Sequence, residues 1–256
     1  DKEVLAPKLY LSSNSRMKIS SAGDVVIGAG EDINFLARGK IKNQSKIQAG
    51  NNLAISGGSV TNIGGELTSG GDMILSATNG SVVSSSQVGG SGNGENQSRF
   101  FTRKSAIKSG GELTIVATDN INILGTKIKA DDDLNLQAMG DVNIAGNELI
   151  SSAKDEGLYS TTINRRIKYE TSSLSSEDGD IIIRSGSDIN LLGVDISGQN
   201  ATISAGGALN ISDLIDRRYN SYHSERENFI RKKTVDKGEY KETSIATEFN
   251  FSGGIN

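Results

Sequence analysis

The stretch GELTIVATDNINILGTKIKADDDLNL, Gly111–Leu136, decides the fold. It holds three short runs, Leu113–Val116, Ile121–Leu124 and Thr126–Lys129, before Leu134 restarts the pattern 21 residues after Leu113. Each run is too short for a helix, and the Asp, Asn and Gly residues between them mark turns. In Leu134-Asn135-Leu136 the two leucines point to one side of a strand and the asparagine to the other. Three short strands per cycle of about 20 residues describe a coil of a parallel β-solenoid.

The same unit recurs in both directions. Gly-Asp-apolar-polar-apolar appears as Gly71-Asp72-Met73-Ile74-Leu75, Gly140-Asp141-Val142-Asn143-Ile144 and Gly179-Asp180-Ile181-Ile182-Ile183. Ile33 to Leu53, Leu53 to Met73 and Ile181 to Ala201 are each 20 residues. Stacked coils would set each inward Leu, Ile or Val about 4.8 Å from its equivalents above and below. Corner Gly and Asn are expected to supply left-handed or tight backbone. A leucine-rich repeat has a similar period but needs a longer leucine framework and helical returns, which this sequence lacks. A longer period overlies the short one: Leu53, Leu113 and Ile181 are equivalent starts 60 and 68 residues apart. Each module is expected to hold two coils and then an interruption.

Composition agrees. Hydrophobic residues make up 35% and aromatics 5% of the 256 residues, which suits a narrow stacked interior. Pro occurs once against 31 Gly, unlike most disordered chains. The absence of Cys removes disulfides, thiolate chemistry and Cys-based metal sites. A net charge of −4 gives no global field for nucleic acid, so no nucleic-acid partner is expected. No run approaches the roughly 20 apolar residues of a membrane-spanning helix. Asp1 follows no charged and apolar leader, so an exported protein would have this chain as an interior piece.

Three interruptions are expected at about Ser84–Lys108, Lys154–Glu170 and Asp216–Thr243, each after the second coil of a module. If they leave the tube at one corner, they form a row about 10 Å apart. Each sets aromatic or aliphatic side chains beside cations. The candidate partner-binding residues are Phe100, Phe101, Arg103 and Lys104 in the first, Arg165, Arg166, Lys168 and Tyr169 in the second, and Phe229, Arg231, Lys232 and Lys233 in the third. The three segments together carry +6, leaving −10 for the rest of the chain. The second alternates like a strand from Thr161 to Tyr169, and Asp236-Lys237-Gly238 suits a hairpin turn in the third. Gly92 and Gly94 suggest a mobile tip in the first. Such insertions are either solvated hairpins on a tolerant scaffold or a repeated face for an acidic partner such as glycan or lipid head groups.

Catalytic, metal and cofactor sites are not expected. The single histidine, His223, reads as a solvated hairpin residue. Asp131-Asp132-Asp133 reads as a solvated corner, since the calcium-binding solenoid motif is absent. The Asn-x-Ser/Thr matches, among them Asn43, Asn200 and Asn210, fit chance in a chain this rich in Asn and Ser. A glycan-processing β-helix enzyme would need acids gathered on one outward stack, and no such cluster can be assembled.

Ala49-Gly50-Asn51-Asn52-Leu53, Ser69-Gly70-Gly71-Asp72-Met73, Ser109-Gly110-Gly111-Glu112-Leu113 and Ser204-Ala205-Gly206-Gly207-Ala208-Leu209 resemble filamentous haemagglutinin repeats. Those repeats belong to exoproteins of two-partner secretion systems in Gram-negative bacteria, a group of adhesins, haemolysins and contact-dependent growth inhibition effectors. The two-coil module with a basic hairpin is most similar to the second repeat region of the growth inhibition effectors, which lies between a receptor-binding part and a C-terminal toxin. The resemblance implies a right-handed parallel β-helix, export through an outer-membrane transporter and a cell-surface or secreted location. It implies a non-catalytic shaft or delivery segment that could meet a target cell's outer membrane or surface glycan. A passive spacer carrying an adhesin or toxin domain elsewhere is the alternative.

Overall fold

The computed structural model describes residues 16–19 and 25–256, with side chains from Ile27 onward. Residues 1–15 and 20–24, which the single β-helix expected over 1–256 would include, lie outside the described residues. Among the described residues every regular element is a strand. Leu113–Ala117, Ile121–Leu124 and Thr126–Ala130 form one coil, each in a different sheet. Leu113–Ala117 pairs in parallel with Met73–Ala77 of the coil before and Leu134–Ala138 of the coil after, residue for residue. Repetition builds a right-handed parallel β-helix of seven coils from Ile33 onward, with two sheets of seven strands and a third of nine. The third also holds the antiparallel pair Arg16–Ile19 and Val25–Ala29.

Alternation fills the interior. In Leu113–Ala117, Leu113, Ile115 and Ala117 are buried and the residues between them are not. Ile33, Leu53, Met73, Leu113, Leu134 and Ile181 form one inward column, each at most 1% exposed. Burying each such side chain is worth about 1.5–3 kcal/mol, so column stacking is a principal stabiliser of a chain with few aromatics. A second-sheet column begins polar, with Asn43, Asn62 and Ser84 in line with Ile123, Ile144 and Leu191. Those polar side chains satisfy one another: Asn43 Nδ2 donates to Asn62 Oδ1 and Asn62 Nδ2 to Ser105 Oγ, both at 2.8 Å. Asn43 is thus a buried structural residue, not an open glycan acceptor.

The Gly-Asp signature has a specific cause. At the corner the chain leaves the backbone ladder, and a side-chain oxygen replaces the missing carbonyl. Asp32 Oδ1 accepts from the Asn52 N–H, Asn52 Oδ1 from Asp72 and Asp72 Oδ1 from Glu112, at 2.9, 2.9 and 3.0 Å. Asp133 Oδ1 accepts from Asp180 and Asp180 Oδ1 from Asn200, so Asp133 is a corner link rather than a merely solvated carboxylate. The preceding glycine is needed for close approach: a Cβ on Gly71 would lie 2.6 Å from Asn52 Oδ1, the oxygen that makes the corner link. The expectation of left-handed Asn is corrected here. Among the described residues only glycines have positive φ, and asparagine serves the corners through its side chain.

At the corner between the second and third strands, alternate coils do different things. Gly64, Gly125 and Gly193 turn it with φ of 64°, 55° and 58°. The coil that follows each of these extrudes a hairpin instead, so the interruptions fall inside a coil and not after it. The hairpin strands are Gln87–Asn93 with Asn96–Arg103, Asn147–Gly157 with Ser160–Glu170, and Leu214–Glu227 with Lys232–Ile245. The second therefore starts at Asn147, where Lys154 was expected. The third turns at Asn228–Arg231, and Asp236-Lys237-Gly238 lies mid-strand. Asn228 accounts for the turn: its Oδ1 accepts from the N–H groups of Ile230 and Arg231, and its backbone pairs with Arg231.

Candidate contact surface

The three hairpins form one six-stranded antiparallel sheet, a fin along the rod. The geometry is commensurate. Two coils rise about 9.6 Å and a two-stranded hairpin is about as wide, because both are built from the same interstrand spacing. Hairpins issued from every second coil therefore meet edge to edge. The second and third pair from Ser160↔Ser224 to Ile167↔Arg217. The first and second pair only at Gln97↔Ser152 and Ser98↔Ser151. Side chains extend that seam: Ser152 Oγ donates to the Glu95 carbonyl at 2.8 Å, and Asn96 Oδ1 accepts from the Lys154 N–H at 2.7 Å. The first hairpin's tip, expected to be mobile, is tied down at Glu95 and Asn96.

Register assigns each side chain to one of two faces, since alternate residues point oppositely. One face carries Phe101, Arg165, Tyr169 and the unforeseen Ile150, Ile167, Tyr219 and Tyr240. Its charges largely pair internally: Arg99 with Glu148 at 3.4 Å, Lys154 with Glu95 and Glu156 at 2.9 and 2.8 Å, Arg217 with Glu242 at 3.0 Å, and Lys232 with Glu225. Hydrogen bonds from Tyr240 and then Arg217 hold the Glu242 carboxyl below the usual carboxylate range. The bond from Lys154 does the same for Glu156 and raises the Lys154 ammonium. Burial, then the Glu148 carboxylate, pushes the Tyr169 phenol up. His223 is exposed on this face with Nδ1 2.5 Å from Asp236 Oδ1. Among the described residues no hydroxyl hydrogen bonds to its imidazole.

The other face carries Phe100, Arg166, Lys168 and Lys233 with the unforeseen Arg218, Arg226, Lys237 and Lys241. These cations form no ion pair with any described residue. The remaining candidates sit at the base and the outer end. Arg103 Nη1 donates to the Gln44 carbonyl at 2.7 Å, anchoring the fin to the first coil. Lys104 pairs with Glu170 at 2.6 Å and lies 5.7 Å from the Phe101 ring centroid. Phe229 and Arg231 lie in the third turn, and Phe229 is fully exposed. The twelve candidates are thus divided between two faces, a base and a turn. Arg218 and Lys241 escaped sequence reading because the third turn was placed at Asp236–Gly238, which hides their opposition. Alternation through Arg217–Glu225 was the available signal.

Among the described residues there is no cluster of three or more His, Asp or Glu suited to a metal ion, and no helix is long and apolar enough to cross a membrane. The family described as hemagglutinin repeat matches at residues 87–155 and 145–229, together more than half of the chain. The first match opens at Gln87, where the first hairpin begins, and the second at Ala145, two residues before the second hairpin. A tRNA nuclease CdiA of Yersinia mollaretii is 30% identical over 225 residues, covering 73% of this chain and 7% of that protein. The chain thus spans a small part of that relative's length. No solved structure matches.

Proposed function

Because the chain belongs to the hemagglutinin-repeat family, we propose that it is a non-catalytic shaft segment of a secreted or cell-surface exoprotein of a Gram-negative bacterium, meeting other cells through its fin. The observation that carries this is the joining of three hairpins into one sheet that stands off a rod filled by its own side chains. Between its ends the rod is filled by its own stacked side chains, which leaves the fin as the lateral surface with chemistry to offer. The relative's printed name makes that protein a tRNA nuclease. The likeness lies in repeats, and we assign any nuclease or toxin work to other parts of such a protein. An outer-membrane transporter would be its partner during export.

A glycan-processing activity is disfavoured by what occupies the outward stacks. Asn122, Asn143, Asn190 and Asn210 hydrogen bond to one another in a ladder, where an enzyme would set an acid pair. The passive spacer is favoured by one observation, the internal pairing of charges on the first face.

Binding to outer-membrane vesicles separates these readings. The wild type is compared across salt with a variant neutralised at Arg103, Lys104, Arg165, Arg166, Arg231 and Lys232. Salt-sensitive binding lost in the variant supports contact through the fin. Absence of binding by either protein leaves the spacer.

A further inference from the structure

Arg166, Arg218 and Lys241 stand directly opposite one another on three adjacent strands of the fin, in the registers Arg166↔Arg218 and Arg218↔Lys241. Directly opposed residues have Cβ atoms about 4.5–5.5 Å apart, where like charges destabilise a sheet. All three are exposed, and none forms an ion pair with a described residue. With the Asn220 side-chain amide turned over, its oxygen faces Arg218 Nε at 3.2 Å, a neutral partner. The contrast with the opposite face is direct. There, Arg217, one residue from Arg218, pairs with Glu242, one residue from Lys241. Acidic partners are thus within reach of this sequence and are absent from this row.

A cleft of about 180 Å³ opens over the row, lined by Arg166, Arg218, Lys241, Arg217, Asp216 and Thr243 with Ile167. Its one carboxylate is already engaged, Asp216 Oδ1 accepting from the Tyr169 N–H at 2.8 Å. The row continues onto Ser151 and Ser98, which add hydroxyls at the same register. Lys168 lies on the same face two residues from Arg166. The result is a line of cations at strand spacing that ends in neutral hydrogen-bonding groups.

We propose that this row is a docking site for an anionic glycan, which lies across the strands and sets successive carboxylate or phosphate groups on Arg166, Arg218 and Lys241. A polymer bearing one anion per sugar repeats its charge on the scale of the strand spacing, and its hydroxyls meet Ser151 and Ser98. Guanidinium groups hold carboxylate and phosphate through two parallel bonds, which gives a fixed geometry that a diffuse positive patch lacks. The unpaired like charges are a local cost to the fold that bound anions would relieve. This rests on the reading of the fin as the contact surface and specifies which face and which ligand.

The test is binding to alginate, a polymer with a carboxylate on each sugar, with dextran as the neutral counterpart and a poly-dT strand as competitor. One variant carries Arg166→Gln, Arg218→Gln and Lys241→Gln. A control removes equal charge elsewhere through Arg99→Gln, Lys129→Gln and Lys154→Gln. The expected result is alginate affinity reduced about tenfold or more in the row variant and within about twofold of wild type in the control, with no dextran binding. Relief of like-charge opposition should also leave the row variant melting no lower than wild type, which separates lost binding from lost fold. Equal binding by both variants overturns the row while leaving the fin as a contact surface. Failure of wild type to bind alginate also overturns it, and the vesicle experiment then decides whether contact through the fin survives. Competition by poly-dT at matched charge as strong as alginate's own overturns the glycan class in favour of nonspecific polyanion binding.

Discussion

Asn143 donates its side-chain amide to Asn122 Oδ1 at 2.9 Å, and Asn190 repeats the bond onto Asn143 at 2.7 Å. Asn210 extends the ladder to four rungs at 2.8 Å. An amide carries donor and acceptor on one group, so identical residues one coil apart satisfy each other without a partner of another type. Asn143→Asp replaces the donor with a second acceptor and sets two oxygens face to face at the Asn122 rung. We expect a loss of about 1–2 kcal/mol, because an intramolecular hydrogen bond is replaced by repulsion at a half-buried site. Urea midpoints of Asn143→Asp and Asn143→Ala measure it. An aspartate variant as stable as wild type would show that the ladder adds nothing.

The corner glycines give a sharper contrast. A Cβ at Gly70 would lie 2.1 Å from the Gly50 carbonyl oxygen, whereas one at Gly39 would meet nothing within 4 Å. Gly70→Ala must push adjacent coils apart, at a cost of about 1–3 kcal/mol. Gly39→Ala should be neutral or stabilising by a few tenths, since it lowers the entropy of the unfolded chain by about 0.4–1 kcal/mol. Thermal melts of the two variants should move in opposite directions or differ by several degrees. Equal shifts would remove close coil approach as the reason for the glycine.

These contrasts also explain how far the sequence could be read. The coil was legible because a 20-residue period and strict alternation leave Leu113, Leu134 and Ile181 in visible register. The Gly-Asp motif was visible too, but its cause, a side-chain bond from Asp72 to the N–H of a residue 40 positions on, has no local signature. The hairpins were legible as breaks in the pattern. Their union was not, because Ile167↔Arg217 pairs segments whose sequences do not repeat each other. The third turn was misplaced since Asp-Lys-Gly resembles a tight hairpin turn. Asn228 instead closes a wider loop through its own side chain.

Acid should loosen the fin before the rod. Glu242 and Glu156 have lowered pKa values, held down by Tyr240 with Arg217 and by Lys154. A depressed carboxyl contributes stability that is fully present above its unfolded value, about 4.3 for Glu. That contribution is lost as pH falls through the lower folded value. The rod's inward columns hold apolar side chains with a few Asn and Ser, none of which titrates. Side-chain carbon resonances of the two glutamates, followed by NMR, should titrate with midpoints below about 4.3, while strand signals of the coil stay unchanged over the same range. Midpoints at or above the unfolded value would dissolve the Tyr240–Glu242–Arg217 contact.

The corner at Gly125 and Gly193 predicts that a hairpin can be removed without breaking the rod. Thr126 and Val194 follow those glycines in their coils, and both pair around Ser172 of the coil between. Deleting Asn147–Thr171 therefore joins Gly146 directly to Ser172, in the place where Leu124 and Leu192 are followed by a left-handed glycine. Gly146 can adopt that conformation because it lacks a Cβ. The columns through Leu136, Ile144 and Leu174 keep their neighbours, so the variant should fold and melt within a few degrees of wild type. The fin should not survive, since its central pair carries both seams, at Ser98↔Ser151 and at Arg166↔Arg218. Trypsin should then cut at Arg217 and Arg218 much faster than in wild type, and alginate binding through the row should fall with the loss of Arg166. A variant that fails to fold would mean that the hairpins drive coil stacking. Unchanged proteolysis would mean that the third hairpin stands without its neighbour.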